Sequence, residues 1–513
     1  MPGKLLSHLA VAAALAASLT HATAGQSPAA AAAAGRFDVV EKSIFALQTA
    51  MQEGRATSRQ LVEAYLARIR AYDQDGPKIN AFITLNPHAL DAADEMDRER
   101  RARGSRGPLH GIPIVVKDNY ATADMPTTGG SKALAGFETH RDAFMVKKLR
   151  DAGAVIVGKT NLHELAYGIT SISSMGGQTR NPYDLTRNPG GSSGGTGAAV
   201  AANFASAGMG SDTCGSIRNP SSSNNLFGLR GTLGLSSRDG IIPLSHTQDI
   251  GGPLARTVTD LAIMLDATVG LDPADPLTRD SEGRIPRTYL SAIGDSGLGD
   301  VSIGVLTSMF GTAPEDAEVA GIVRHAIENL SALGASVSEV TVAGLDALMQ
   351  GTSVINAEFK FDLMDFLGRF PGAPVKNLGE ILASGKYDPA VEGVLRRAEA
   401  VETRDSPAYQ TALARREAAT EAVIGVVRGY TALAYPTLRR KAAVIGQGQG
   451  GSNCQLSATT GLPAMSIPAG FTEDGVPVGM ELLGNAFSES RLLRIAYAYE
   501  RLANPRKPPK NAP

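Results

Sequence analysis

Short β-branched runs without polar alternation recur along the chain, and apolar residues at helical spacing lie between them. Ile112 to Val116 (IPIVV) and Ala154 to Val157 (AVIV) have the composition of strands buried on both faces of a sheet. From Asp38 to Tyr72 the pattern is helical, broken at Gly54 and restarted by Thr57-Ser58-Arg59-Gln60, which has capping-box form. Leu61, Val62, Tyr65, Leu66 and Ile69 then share one face of that second helix. Around 303–341 a strand (IGVL), a helix (320–333) and a second strand (Val337 to Val342) repeat the alternation. Ala464 to Pro468 and Val478 to Leu483 read as two more strands, closed by an amphipathic helix at 487–502. This rhythm predicts an α/β fold. Between about 345 and 430 only helical patterns occur, as in an insertion, and no long linker interrupts the chain after residue 35.

The first residues follow a different logic. Residues 1–24 carry Lys4, an apolar run from Leu9 to Leu19 and the small-x-small sequence Ala22-Thr23-Ala24, the form of a cleavable signal peptide. A run of eleven residues is too short to cross a bilayer, which takes about 20. Residues 25–35, with Ser27-Pro28 and the alanines 29–34, read as a disordered tether, and 36–513 as the folded domain. The expected location is periplasmic or secreted, with cleavage near Ala24/Gly25 and no stable membrane insertion.

Composition narrows the partners. A formal net charge of −2 leaves no basic excess to neutralise phosphates, so no nucleic acid partner is expected. The only cysteines, Cys214 and Cys454, cannot build a disulfide framework or a Cys-based metal site; a single bridge is open to them, but two free thiols packed as small core residues is the favoured reading. No metal or cofactor is expected, and nothing in the sequence bears on oligomeric state.

Glycine-rich motifs supply the candidate chemistry. Gly153 to Thr160 (GAVIVGKT) fits the phosphate-loop pattern, yet its four middle residues are themselves a strand, ended by Gly158, and cannot curl around an anion. Gly190-Gly191-Ser192-Ser193-Gly194 fits the GxSxG nucleophile elbow, but polar residues with two prolines precede it where a strand is required. A small-residue helix (198–206) is expected to follow this loop. Of the histidines, only His246 and His325 follow that elbow. A third arrangement is spread further: Lys117 after IPIVV in LHGIPIVVKDN, Ser192 in the GGSSGG loop 75 residues later, and Ser216 in GSDTCGSIR a further 24 on.

With these three segments, SIRNPSS, the block GLRGTLGLSSRDGIIPLSHTQDIGGPLART and the closing GLPAMSIPAGF with PVGMELLG, the chain strongly resembles the amidase signature family of Ser-cisSer-Lys hydrolases over most of its length. The resemblance implies a single domain with a mixed central β-sheet covered by helices on both faces. It implies that Ser216 is the nucleophile, Ser192 the proton relay and Lys117 the base, with a cis peptide between Gly191 and Ser192 and Ser193 as a supporting donor. The oxyanion site would be the backbone N–H groups of Thr213, Cys214, Gly215 and Ser216, supported by Asp212 and Arg218. Two positions depart from the family: Cys214 stands where glycine is usual, and Ser211 where threonine is usual.

A lysine can act as base only when neutral, and burial lowers an ammonium pKa by desolvation. The long GLSSRDGIIPLSHTQDIGGPLART block, with Glu358-Phe359-Lys360-Phe361-Asp362, is similar to the peptide-amidase and aryl-acylamidase branch. The implied activity is hydrolysis of small or peptide amides through an acyl-enzyme, with carbamates and esters as alternative substrates. A non-catalytic binding protein of the same fold is the alternative of another class. A tRNA amidotransferase component is disfavoured by the leader, and a membrane-associated fatty acid amide hydrolase by the lack of a spanning or basic amphipathic helix.

Overall fold

In the computed structural model the described residues are 37–294 and 297–513; the leader and tether read at 1–24 and 25–35 lie outside them. The strands are β1 (Phe82–Leu85), β2 (Pro113–Lys117), β3 (Val155–Thr160), the short pair β4 (Ile172–Ser173) and β5 (Gly177–Gln178), β6 (Ala207–Asp212), β7 (Phe227–Arg230), β8 (Ile250–Ala255), β9 (Ser302–Leu306), β10 (Ser336–Val340), β11 (Ala432–Pro436), β12 (Ala464–Phe471) and β13 (Pro477–Gly484). All but β4 and β5 join one 11-stranded sheet in the order β1-β3-β2-β6-β8-β7-β12-β13-β11-β9-β10. The sheet is mixed: β2 runs parallel to β3 and β6, and β9 parallel to β10 and β11, while the strands between pair antiparallel. Helices flank it.

The apolar runs behave as their composition demands. Every residue of β2, β3 and β6 is buried, because a strand covered on both faces has no solvent side to fill with polar residues. One boundary needs correction: β3 does not end at Gly158 but continues to Thr160, and the register against β2 shifts between Ile114 and Val115, so that Val115 pairs with Gly158. Lys159 therefore points into the protein, where it pairs with Asp118 at 3.3 Å and donates to Thr127 and the Pro126 carbonyl. That disposes of the phosphate-loop reading on geometry as well.

Thr57 caps the helix Ser58–Arg68 reciprocally with Gln60, as the capping box predicts. The small-residue helix spans Gly194–Ala201, four residues ahead of the expected start; all eight of its residues are buried, and it packs against β2 and β6. Residues 345–427 form five helices, the longest being Pro407–Val427, with no strand among them. Phe359, Leu363, Phe366 and Leu367 of the helix Ile355–Gly368 pack with Leu134, Phe137, Ile242 and Leu244, which docks this helical stretch on the loops beyond β2 and β7.

Candidate active site

The carboxyl ends of parallel strands are where side chains converge without further strands to cover them, and the candidate residues gather there. Lys117 is the last residue of β2, and the turn Thr213–Ser216 leaves the end of its parallel neighbour β6. Between them lies the GGSSGG loop, which enters the helix Gly194–Ala201.

That loop is held by backbone contacts too tight for larger residues. A Cβ on Gly195 would lie 2.3 Å from the Asn161 carbonyl oxygen, so only glycine lets the chain pass. Ser171 Oγ donates to the Gly190 carbonyl at 2.8 Å and accepts the Gly194 N–H at 2.9 Å, and the His163 N–H donates to the Ser192 carbonyl at 3.0 Å. The Gly191–Ser192 peptide is cis. Neither Ser171 nor His163 stands out in the sequence; nothing in their local surroundings distinguishes them from loop residues.

Lys117 Nζ donates to Ser192 Oγ at 2.7 Å and to Ser211 Oγ at 2.9 Å, and Asn119 Nδ2 donates to the same Ser211 hydroxyl at 2.9 Å. Both Lys117 and Ser192 are wholly inaccessible, and Ser216 is 3% exposed. Burial pushes the Lys117 ammonium down from 10.5 to about 7, against the pull of the Asp249 and Asp212 carboxylates in the opposite direction. His163 is likewise pushed down by burial and by Lys117, to about 4, so its imidazole is neutral.

Ser193 Oγ donates to the Ser211 carbonyl at 3.2 Å, and the Ser193 N–H donates to the Ser216 carbonyl at 3.1 Å, which fastens the two serine segments side by side. Among the described residues Ser216 Oγ has no hydrogen-bond partner, Ser192 Oγ included.

The turn at Ser216 is shaped by Asp212. Its carboxylate accepts the Gly215 N–H at 2.7 Å and the Ile217 N–H at 3.1 Å. The expected set of four oxyanion donors is thereby reduced: Gly215 is committed to Asp212, while the N–H groups of Thr213, Cys214 and Ser216 have no acceptor among the described residues. Burial alone would raise the Asp212 pKa, but the guanidinium groups of Arg218 (3.1 Å) and Arg230 (3.1 Å) hold it well below the usual carboxylate range. Arg218 also pairs with Glu481, which accepts from Tyr435 at 2.9 Å. Two arginines and two carboxylates thus close a buried, locally neutral cluster beneath the turn.

On the other side, Asp249 accepts the Thr213 hydroxyl, and Gln248 Nε2 donates to the Thr213 carbonyl at 3.2 Å. Gln248 Oε1 is itself fixed by Arg416 at 3.0 Å, from the helix Pro407–Val427. Cys214 and Cys454 form a disulfide across 240 residues of sequence, which corrects the expectation of two free thiols. Spacing gave no cue to it, because the turn and the segment before helix Gln455–Thr460 meet only in the folded chain.

The HTQD block and the Glu358–Asp362 stretch also meet. Glu358 accepts from Ser245, Thr247 and Tyr409, and Asp362 accepts the His246 backbone N–H at 2.8 Å and pairs with its ring at 3.0 Å. A cavity of about 340 Å³ lies beside them, lined by Arg238, His246, Asp249, Asp362 and Arg369 among others; it reaches the Ser216 turn only through Asp249. No helix of the described residues is long and apolar enough to cross a membrane.

The Amidase family model matches residues 60–493. A probable amidase of Arabidopsis thaliana is 34% identical over 496 residues, covering 92% of both chains. A glutamyl-tRNA(Gln) amidotransferase subunit of Symbiobacterium thermophilum is 35% identical over 486 residues, covering 88% of this chain and 94% of that one. The native peptide amidase of Stenotrophomonas maltophilia superimposes with a TM-score of 0.85 at 38% identity, over 92% of this chain and 99% of that one. The chain belongs to the amidase family, and its fold and family make it an enzyme acting on amide bonds.

Proposed function

We propose that this amidase hydrolyses small or peptide amides through an acyl-enzyme on Ser216, with Ser192 as relay and Lys117 as base. The observation that carries the reading is the 2.7 Å contact from a fully buried Lys117 Nζ to Ser192 Oγ. A lysine whose pKa falls to about 7 is neutral often enough near neutral pH to accept a proton. In the forward step Ser216 Oγ attacks the amide carbon and passes its proton to Ser192 Oγ, whose own proton moves to neutral Lys117 Nζ. The developing oxyanion is received by the free N–H groups of the turn. The proton returns along the same path to the amine as the C–N bond breaks, and a water then repeats the sequence on the acyl-enzyme to release the acid.

Similarity to peptide amidase supports a peptide or small amide as substrate; carbamates and esters share the acyl-enzyme route and are the second class to assay. The test is product release from a panel of amides, anilides, carbamates and esters, with Ser216→Ala as the blank. A panel on which wild type and Ser216→Ala do not differ would defeat the reading.

The mature enzyme is further proposed to be exported, on the strength of Lys4, the apolar run and Ala22-Thr23-Ala24. The Cys214–Cys454 bridge fits an oxidising compartment.

A further inference from the structure

Among the four turn residues, the backbone is anchored unevenly. The Thr213 carbonyl accepts from Gln248, the Gly215 N–H donates to Asp212 and its carbonyl accepts the Asn219 N–H, and the Ser216 carbonyl accepts from Ser193. Cys214 has neither its N–H nor its carbonyl in a hydrogen bond among the described residues. What holds it is its side chain: the disulfide to Cys454, with Gln455 Oε1 3.0 Å from a sulfur that has no proton to give.

The other end of that bridge is firmly seated. The Cys454 carbonyl accepts from Arg218 Nη2 at 3.2 Å, and Arg218 belongs to the buried cluster that also shapes the turn through Asp212. Cys454 presses close behind the next residue too: a Cβ on Gly215, whose φ is +84°, would lie 2.8 Å from Cys454 Cβ. The bridge therefore ties the one loosely held residue of the turn to a fixed point. Both cysteines are partly exposed.

We infer that the Cys214–Cys454 disulfide is a positioning element for catalysis, fixing the Cys214 N–H as an oxyanion donor, so that breaking it slows turnover without loosening substrate binding. The inference rests on the proposed role of Ser216 and its turn. Reduction breaks the Sγ–Sγ bond; a dithiol such as dithiothreitol supplies two electrons and two protons, leaving two thiols and closing to its own cyclic disulfide. Where glycine stands at this position no such tether is available, and here the side chain takes over part of the work of holding the turn.

The test uses the mature enzyme purified without reductant, with the bridge verified by peptide mapping. A fluorophosphonate that labels Ser216 in the oxidised enzyme checks the underlying reading. kcat and KM for a p-nitroanilide are then measured for oxidised, dithiothreitol-reduced and reoxidised enzyme, and for the double variant Cys214→Ala/Cys454→Ala, at a temperature where near-UV circular dichroism shows each form folded. Losing a whole oxyanion donor costs about 10²–10³ in kcat, and a loosened one less, so kcat is expected to fall about tenfold on reduction with KM within about threefold. Reoxidation should restore it, and the reductant should leave the double variant unchanged. An unmoved kcat with both thiols titrated as free overturns the inference, as does a loss that merely follows global unfolding or falls wholly on KM. If Ser216 is not labelled, the functional reading fails; if it is labelled and kcat ignores reduction, the positioning role alone fails.

Discussion

Replacing Lys117 by Met separates the proposed chemistry from stability, because the same burial that would let the lysine act as a base also makes it costly to keep charged. Its pKa drops from 10.5 to about 7, which amounts to roughly 5 kcal/mol against the charged form in the folded protein. The unfolded chain binds this proton up to its ordinary pKa, whereas the folded chain releases it near 7. Stability from this group therefore rises with pH between about 7 and 10.5, and the full penalty is present below 7. Met removes that penalty but also the contacts to Ser192 and Ser211, together worth about 1–3 kcal/mol. At pH 6 the variant is expected to be more stable than wild type by about 2–4 kcal/mol, and the gain should shrink as the pH rises. Activity should move the other way, falling at least about 10²-fold. In wild type, kcat/KM should be about one-tenth of its plateau at pH 6 and half of it at pH 7. Neighbouring Asp212 stays ionised and His163 stays neutral across this range, so neither competes for the limb. Urea unfolding at pH 6 and 9, paired with pH–rate profiles, reads both effects. A Lys117→Met enzyme that retains wild-type rates, or loses stability equally at both pH values, would refute the reasoning.

Ser216→Ala should abolish turnover while leaving the melting curve nearly unchanged, and Ser192→Ala should lose at least about 10²-fold; stopped product release and circular dichroism on the same samples check both. Replacing His246 or His325 should leave the acid limb in place, since His246 is taken up by Asp362 and His325 lies on the surface beside Glu328; collapse of activity in either folded variant would point to a histidine base. Chelators are expected to have no effect on rate, and recovery that needs an added divalent metal would contradict the assignment. Arg218→Met should destabilise by about 3–5 kcal/mol, because it strands Asp212 and Glu481 as buried carboxylates with Arg230 alone to balance them; denaturant titration measures it. Expressed in a Gram-negative host, the mature protein should begin near Gly25 and fractionate with the periplasm, and a cytoplasmic product that keeps Met1 would remove the export proposal.

Much of the scaffold was legible in short stretches of sequence because the forces that set it act over short stretches. IPIVV is a strand in any context that buries both faces, and Thr57 with Gln60 closes its cap without help from elsewhere. The candidate residues Lys117, Ser192 and Ser216 were legible through long ordered resemblance; their individual chemistry was not. A lysine is a base or a surface cation depending on how many distant segments exclude water from it, and that exclusion comes from β3, β6 and the GGSSGG loop together. The same holds for the turn. Which of its N–H groups remain free is decided by Asp212 at the end of β6, by Gln248 with Arg416 from a helix far along the chain, and by a bridge between residues 240 positions apart. Sequence carries local conformational preference and residue type, whereas desolvation, the partners of buried charges and cross-chain tethers exist only once remote segments are packed, and it is these that set what chemistry the three candidate side chains can do.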